Sequence, residues 1–258
     1  SCLVGSEMCI RDSAKAVRGK LLQESAIRAL VQNIASCDEV WVVSRGAGEN
    51  LRSLGYEGDY IVMENGVDVP RGRVSDEAIA AATGRYDLPQ NVPVFLFVGR
   101  LMWYKGIRII LDALKTLREK NVDFRMVFVG EGADGAEIRS YAEERKLSDR
   151  CFFTGAISDR EIIRAWYGRS DLFLFPSTFD TNGLVVREAA ASGTATVMIR
   201  NSCASEGVGD GRNGFCIEEN AAAMAAKLEE LCRAPEVMQV VGENAQRELY
   251  VSWETAVQ

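Results

Sequence analysis

Apolar residues follow two rhythms along this chain. From Ala14 to about Ala35 they recur at helical spacing (Leu21, Leu22, Ile27, Leu30, Val31, Ile34), which predicts an amphipathic helix. Val40-Trp41-Val42-Val43 is then an unbroken apolar run, the mark of a buried strand. A short helix over 49–54, a strand over 60–63 and a turn at Asn65-Gly66-Val67-Asp68 complete this first segment, and a polar connection rich in Gly, Asp and Pro follows.

From Val92 onward strands and helices alternate. Strands are predicted over 92–98, 124–129, 151–154, 171–175 and 195–199, and helices near 105–119, 134–145, 158–168, 183–192, 220–232 and 235–249. This alternation implies an α/β fold with a doubly wound, Rossmann-like parallel sheet carrying helices on both faces. Ligands of such sheets lie beyond the carboxyl ends of the strands. The loops found there are Gly99-Arg100 with Lys105-Gly106, Gly130-Glu131-Gly132, Gly155-Ala156, and Pro176 to Gly183.

Composition narrows the chemistry. With 258 residues, 47% hydrophobic and 26% charged, the chain can build one large or two modest globular cores. A net charge of −7 leaves no basic field for nucleic acid, so an anionic small ligand needs locally gathered cations and amides. There is no histidine, which excludes Ser-His-Asp, Cys-His and HExxH chemistry within the chain. The cysteines at 37, 151, 203, 216 and 232 have no zinc-ligand spacing and read as reduced thiols. No metal-ligand cluster is visible. No apolar run reaches the ~20 residues that span a bilayer.

The first thirteen residues, SCLVGSEMCIRDS, have neither a signal-peptide core nor helical periodicity. Met8 to Ser13 is what the transposon mosaic end ATGTGTATAAGAGACAG encodes, and Cys2 to Glu7 continues through the adjoining primer. The stretch therefore resembles a translated sequencing adapter on a metagenomic fragment, with native sequence expected from about Ala14 and an unknown length lost before it.

Among the loops, Asp180 to Glu188 carries the most information. Phe173 to Phe175 is a buried strand, and Gly183-Leu184-Val185-Val186-Arg187-Glu188 starts a helix whose first amides face whatever lies above the sheet. Asp180 or Asn182 is alternatively a helix cap and Glu188 the solvated partner of an arginine. Arg100 and Lys105 sit at a helix start, a poor place for cations unless an anion joins them; alternatively they are surface charges. Gly130 to Gly135 matches GxGxxG, which suggests a dinucleotide site, but Cys151-Phe152-Phe153-Thr154-Gly155 lacks the acidic residue such sites need. Trp103 is either a stacking platform or a hydrophobic contact, and Ala221 to Leu231 reads as a core-packing helix.

Together these segments resemble the retaining glycosyltransferases of family 4, which have the GT-B architecture of two Rossmann-like domains facing a cleft. The matching pieces are Asn65-Gly66-Val67-Asp68, Val98-Gly99-Arg100-Leu101 with Lys105-Gly106, Val129-Gly130-Glu131-Gly132, and Phe175-Pro176-Ser177 followed by the acidic pair around Gly183-Leu184. The resemblance implies a remnant of an N-terminal, acceptor-side domain over 14–88 and a C-terminal, donor-binding domain over 89–245. Residues 246–258 would begin a helix returning to the first domain.

It also implies a hexosyltransferase-type enzyme taking a nucleoside-diphosphate sugar, UDP- or GDP-linked, as donor substrate, with no cofactor or metal. Its acceptor would be a cell-envelope glycan or lipid-linked carbohydrate. The enzyme would be cytoplasmic, with peripheral contact at the inner face of the membrane. Arg100 and Lys105 would neutralise the diphosphate, the amides of Gly183 and Leu184 would hold its distal phosphate, and Asp180 would contact the sugar. Glu188 would bind the ribose, Ile157 would lie near the base, and Gly132 and Asn182 would complete the donor site. The family's usual motif is Glu-x7-Glu; this chain has Asp-x7-Glu, with Thr181-Asn182 in place of Gly-Phe. The alternatives are an NAD(P)-dependent oxidoreductase, resting on GxGxxG, and a non-catalytic nucleotide-binding module. A fragment lacking the acceptor side is expected to bind the donor without turning it over.

Overall fold

The computed structural model describes residues 2–4, 20–178, 180 and 183–256. A small parallel sheet of three strands comes first: β1 (Cys2–Val4), β2 (Val40–Val42) and β3 (Ile61–Val62), in that order. It is accompanied by α1 (Lys20–Ala35) and α2 (Arg45–Ser53), and Val31, Ile34, Val42 and Leu51 pack into one cluster beside it. β1 lies inside the stretch read as an adapter, where the sequence predicts no element. An extended tripeptide can join an exposed strand edge through its backbone whatever its side chains.

The large sheet has six parallel strands. They are β4 (Val94–Val98), β5 (Arg125–Val129), β6 (Cys151–Gly155), β7 (Leu172–Phe175), β8 (Ala195–Ile199) and β9 (Phe215–Ile217), in the order β6-β5-β4-β7-β8-β9. Alternate residues of each strand face opposite layers. Phe95, Phe97, Phe128 and Leu174 pack against α4 (Ile107–Glu119), α5 (Gly135–Glu144) and α8 (Ala221–Arg233). Val94, Leu96, Phe173 and Phe175 pack against α6 (Arg160–Arg169) and α7 (Leu184–Ala191). Strands covered on both sides explain the continuous apolar runs that made this sheet legible. The chain closes with α9 (Pro235–Glu248) and the short α10 (Trp253–Ala256).

Further elements differ from the sequence pattern. The polar connection contains α3 (Asp76–Thr83), capped by Ser75, whose hydroxyl accepts the Ala78 amide; only Ile79 and Thr83 are buried on it, so its apolar stripe is too thin to detect. β9 has three residues and is defined by pairing with β8. The helix predicted over 105–119 is broken at Gly106 (φ 77°) into a 3-10 turn, Trp103–Lys105, and α4. Residues 65–68 form no turn: the Val67 amide donates to the Val251 carbonyl at 2.8 Å, a partner near the far end of the chain.

The small sheet and the large one meet along a cleft of about 970 Å³, bounded by residues 43–46, Glu64, Gly183, Arg187 and 199–208. Among the described residues, three charged contacts span this junction. Arg187 pairs with Glu64 at 3.1 Å, Arg160 with Asp68 at 2.7 Å, and the Glu206 carboxylate accepts the amides of Arg45 (3.1 Å) and Gly46 (3.2 Å) at the start of α2.

Candidate functional site

The strand order reverses between β4 and β7, and an open parallel sheet binds ligands at such a switch point. The loops leaving β4 and β5 are locked together by glycines. A Cβ on Gly130 (φ 135°) would stand 2.0 Å from the Gly99 carbonyl oxygen, and one on Gly132 would stand 2.4 Å from that of Leu101. Close packing of loop on loop therefore accounts for the first two glycines of the GxGxxG string without a dinucleotide.

Lys105 and Asp180 converge at the switch point. Lys105 Nζ lies 2.8 Å from Asp180 Oδ2, and Lys105 is only 8% exposed, which removes the surface-charge reading for this residue. Gly106 makes the approach possible, since a Cβ there would collide with the Pro176 carbonyl oxygen at 2.3 Å. Asp180 Oδ1 accepts the Gly183 amide at 3.2 Å, so one carboxylate bridges the lysine and the start of α7. Gly183 itself is left-handed (φ 56°) and sits tightly against Ala204. Arg100 is exposed at the end of β4 and donates to the Tyr104 hydroxyl at 2.7 Å.

Glu188 lies one turn into α7 and is half-buried. Tyr167 Oη is 3.2 Å from its Oε2 and 3.2 Å from the Val185 carbonyl oxygen. Burial raises the Glu188 pKa above the ordinary glutamate value; the Tyr167 hydrogen bond and the charge of Arg160 oppose that rise without cancelling it. Glu188 is thus not the freely solvated partner of an arginine. Leu184 is exposed on the first turn of α7, Ile157 packs against the core layer beneath α6 and α7, and Gly132 is exposed in the β5 loop. Asn182 lies outside the described residues.

Sequence reasoning missed three contributors. Tyr167 lies on the helix predicted over 158–168, where nothing in the local pattern singles it out. Asp134 Oδ2 accepts the Trp103 amide at 2.8 Å and so fixes the turn that carries Lys105. Ser177 is fully buried three residues before Asp180, and its hydroxyl has no partner among the described residues. Trp103 packs edge-on against Tyr141 (5.2 Å) with the Arg108 guanidinium over its ring, so it is a structural contact. Among the described residues no three His, Cys, Asp or Glu side chains are grouped to hold a metal ion, and no helix is long and apolar enough to cross a membrane.

Comparison with known proteins gives this geometry a lineage. Across 247 residues the chain is 29% identical to a D-inositol 3-phosphate glycosyltransferase of Streptomyces avermitilis, covering 90% of this chain and 53% of that protein. It is 26% identical over 238 residues to a GDP-mannose-dependent alpha-(1-6)-phosphatidylinositol dimannoside mannosyltransferase of Mycobacterium tuberculosis, covering 91% and 59%. The chain thus spans little more than half the length of these relatives.

Among solved structures, Anabaena HepE in complex with UDP and glucose superposes with a TM-score of 0.82 at 20% identity, over 98% of this chain and 68% of that one. Sucrose-phosphate synthase from Thermosynechococcus elongatus gives 0.81 at 24%, over 99% and 65%. These likenesses establish the α/β architecture of GT-B glycosyltransferases. The sequence profile of the glycosyl transferases group 1 matches residues 81–248, from α3 through the whole large sheet to the end of α9. That match takes in well over half of the chain, and the chain belongs to the group 1 glycosyl transferases.

Proposed function

We propose that the protein is a retaining, family 4 type hexosyltransferase and that the switch point of the large sheet binds its nucleoside-diphosphate sugar. One observation carries this reading: Lys105, Asp180 and the start of α7 converge at the carboxyl ends of β4 and β7, with Glu188 one turn deeper. The diphosphate lies between Lys105, Arg100 and the amides of Gly183 and Leu184. Glu188 accepts the ribose hydroxyls, Asp180 contacts the sugar, and Ile157 and Gly132 line the base and phosphate path.

The chemistry asked of these groups is stabilisation of the charge that develops on the departing nucleotide. Two cations and a helix start supply it, and positioning of an acceptor hydroxyl on the same face of the sugar gives retention. The acceptor is a glycan or lipid-linked carbohydrate. Transfer requires the part of the relatives that this chain does not span, so the chain binds donor without turning it over. The same reading includes peripheral contact with a membrane surface.

Calorimetric titration with UDP, GDP, UDP-glucose, GDP-mannose and NAD tests the proposal. Binding of a uridine or guanosine diphosphate that is lost in Arg100→Ala and Glu188→Ala supports it. Binding of NAD with no response to the nucleoside diphosphates would reverse it.

A further inference from the structure

We infer that Tyr167 is a positioning residue for Glu188, fixing which oxygen of that carboxylate is offered to the ribose of the nucleotide. The inference rests on the donor reading above.

Tyr167 is 1% exposed on α6, and its ring stacks edge-on against Phe173 of β7 at 5.4 Å. A phenylalanine would fill this space equally well, and burying a hydroxyl without a partner is costly. The hydroxyl nevertheless stands 3.2 Å from both Glu188 Oε2 and the Val185 carbonyl oxygen. It has one proton for two acceptors. An ionised carboxylate is the stronger acceptor, so the proton is directed at Glu188, while Val185 lies on the same helix and marks where the hydroxyl must sit.

That bond occupies Oε2. Oε1 has no hydrogen-bond partner among the described residues, and its two lone-pair directions suffice for two vicinal hydroxyls. Tyr167 therefore stops the carboxylate from rotating and leaves Oε1 for the ligand. It also favours the ionised form, because its contribution to the Glu188 pKa is downward, against the rise caused by burial.

Charged groups around Glu188 are accounted for. Arg160 faces it from α6 and is bound to Asp68, whereas Arg164 turns to Glu161 and Arg169 to the carbonyls of Leu88 and Pro89. On α7 itself, Arg187 turns to Glu64. On α9, which packs against α7, Arg247 turns to Asn244 and Glu248 to Arg212. Tyr167 is thus the one described group that hydrogen-bonds the carboxylate directly.

The test is Tyr167→Phe in this chain, titrated with UDP and GDP between about pH 5 and 8. A hydrogen bond to a charged group supports an expected loss of about tenfold in affinity. The low-pH midpoint for loss of binding should move upward, because Glu188 then protonates more readily. The 2′,3′-dideoxy nucleotide, which lacks the hydroxyls Glu188 would bind, should bind wild type and Y167F alike, and Y167F/E188A should match E188A.

Equal weakening toward the dideoxy nucleotide would show that the tyrosine acts through the fold and would overturn the inference. Unchanged affinity with an unchanged pH profile would overturn it too. Should Y167F unfold, 3-fluorotyrosine at position 167 keeps the ring and strengthens the donor; the midpoint should then fall, and no shift counts against the proposal. Wild type that binds neither nucleotide, or binds regardless of E188A, defeats the donor reading and the inference together. Failure of Y167F alone leaves the donor reading standing.

Discussion

Lys105 Nζ and Asp180 Oδ2 stand 2.8 Å apart, with Asp180 Oδ1 simultaneously on the Gly183 amide. One carboxylate thus covers two of the groups proposed to receive phosphate. We predict that Asp180→Asn keeps UDP affinity or raises it by up to about tenfold, by removing a competing anion. The preference for the sugar nucleotide over UDP should disappear in the same variant. Parallel titrations with UDP and UDP-glucose decide it, and a D180N variant that loses UDP binding would refute the overlap.

Lys105→Ala should weaken nucleoside diphosphates at least tenfold and also destabilise the chain. The pair is partly buried, with side-chain exposures of 10% and 24%, so leaving Asp180 without its cation costs about 1–2 kcal/mol rather than the 3–5 of a fully buried pair. Urea unfolding measures the second effect independently of the first. Stability equal to wild type would mean that Asp180 finds water or another donor at no cost.

Glu188→Gln should trade binding for stability. Because burial raises the Glu188 pKa, its ionised form is disfavoured in the folded chain. A carboxylate with a raised folded pKa contributes stability when protonated, at low pH, and loses it as pH rises through the folded value. Near neutrality the neutral amide removes that penalty, so Tm should rise by roughly 2–4 °C if about 1 kcal/mol is recovered, and the gain should vanish in acid. Binding of UDP or GDP should fall in the same variant. A lower Tm at pH 7 would contradict the assignment.

Gly106→Ala should damage the site through the backbone. The residue has φ 77°, and its Cβ would meet the Pro176 carbonyl oxygen at 2.3 Å. Left-handed strain and the forced shift together should cost about 2–4 kcal/mol. The Lys105 ammonium moves with the loop, so nucleotide affinity should fall further than stability alone explains, as measured well below the unfolding midpoint.

Glu206→Ala should loosen the start of α2. The Glu206 carboxylate accepts two orphan amides, those of Arg45 and Gly46, from across the junction of the sheets. Loss of such a cap costs about 1 kcal/mol. Hydrogen exchange at those two amides should accelerate selectively, and unchanged protection there would show that Ser44 suffices as the cap.

How far the sequence disclosed all this depended on the range of the interactions. β4, β5 and β7 are buried on both faces, so their apolar runs are continuous and their ends can be read within a residue or two. Lys105 and Asp180 could each be singled out by its loop, but their pairing depends on β4 lying beside β7, which neither local pattern records. Tyr167 was invisible because a buried tyrosine in an apolar helix face has the pattern of a phenylalanine. α2 starts at Arg45 rather than Glu49 because Ser44 caps it, its hydroxyl accepting the Ala47 amide, whereas the two glycines at 46 and 48 give its first turn no helical pattern. β9 and the Val67–Ser252 bridge are defined by partners distant in the chain, and short-range periodicity carries no trace of them.

That bridge has a mechanical consequence. The connection from the small sheet to the large one passes Val67, and there it runs side by side with the segment that follows α9. Val67 is tied to Val251, Tyr250 Oη to the Val69 carbonyl, and Arg71 to the Gln246 carbonyl while its guanidinium covers the Tyr250 ring. Gly66 permits the contact, since a side chain there would strike the Trp253 backbone. The strap therefore ties the connection between the two sheets to the end of α9, so that a strain on either segment is carried by both.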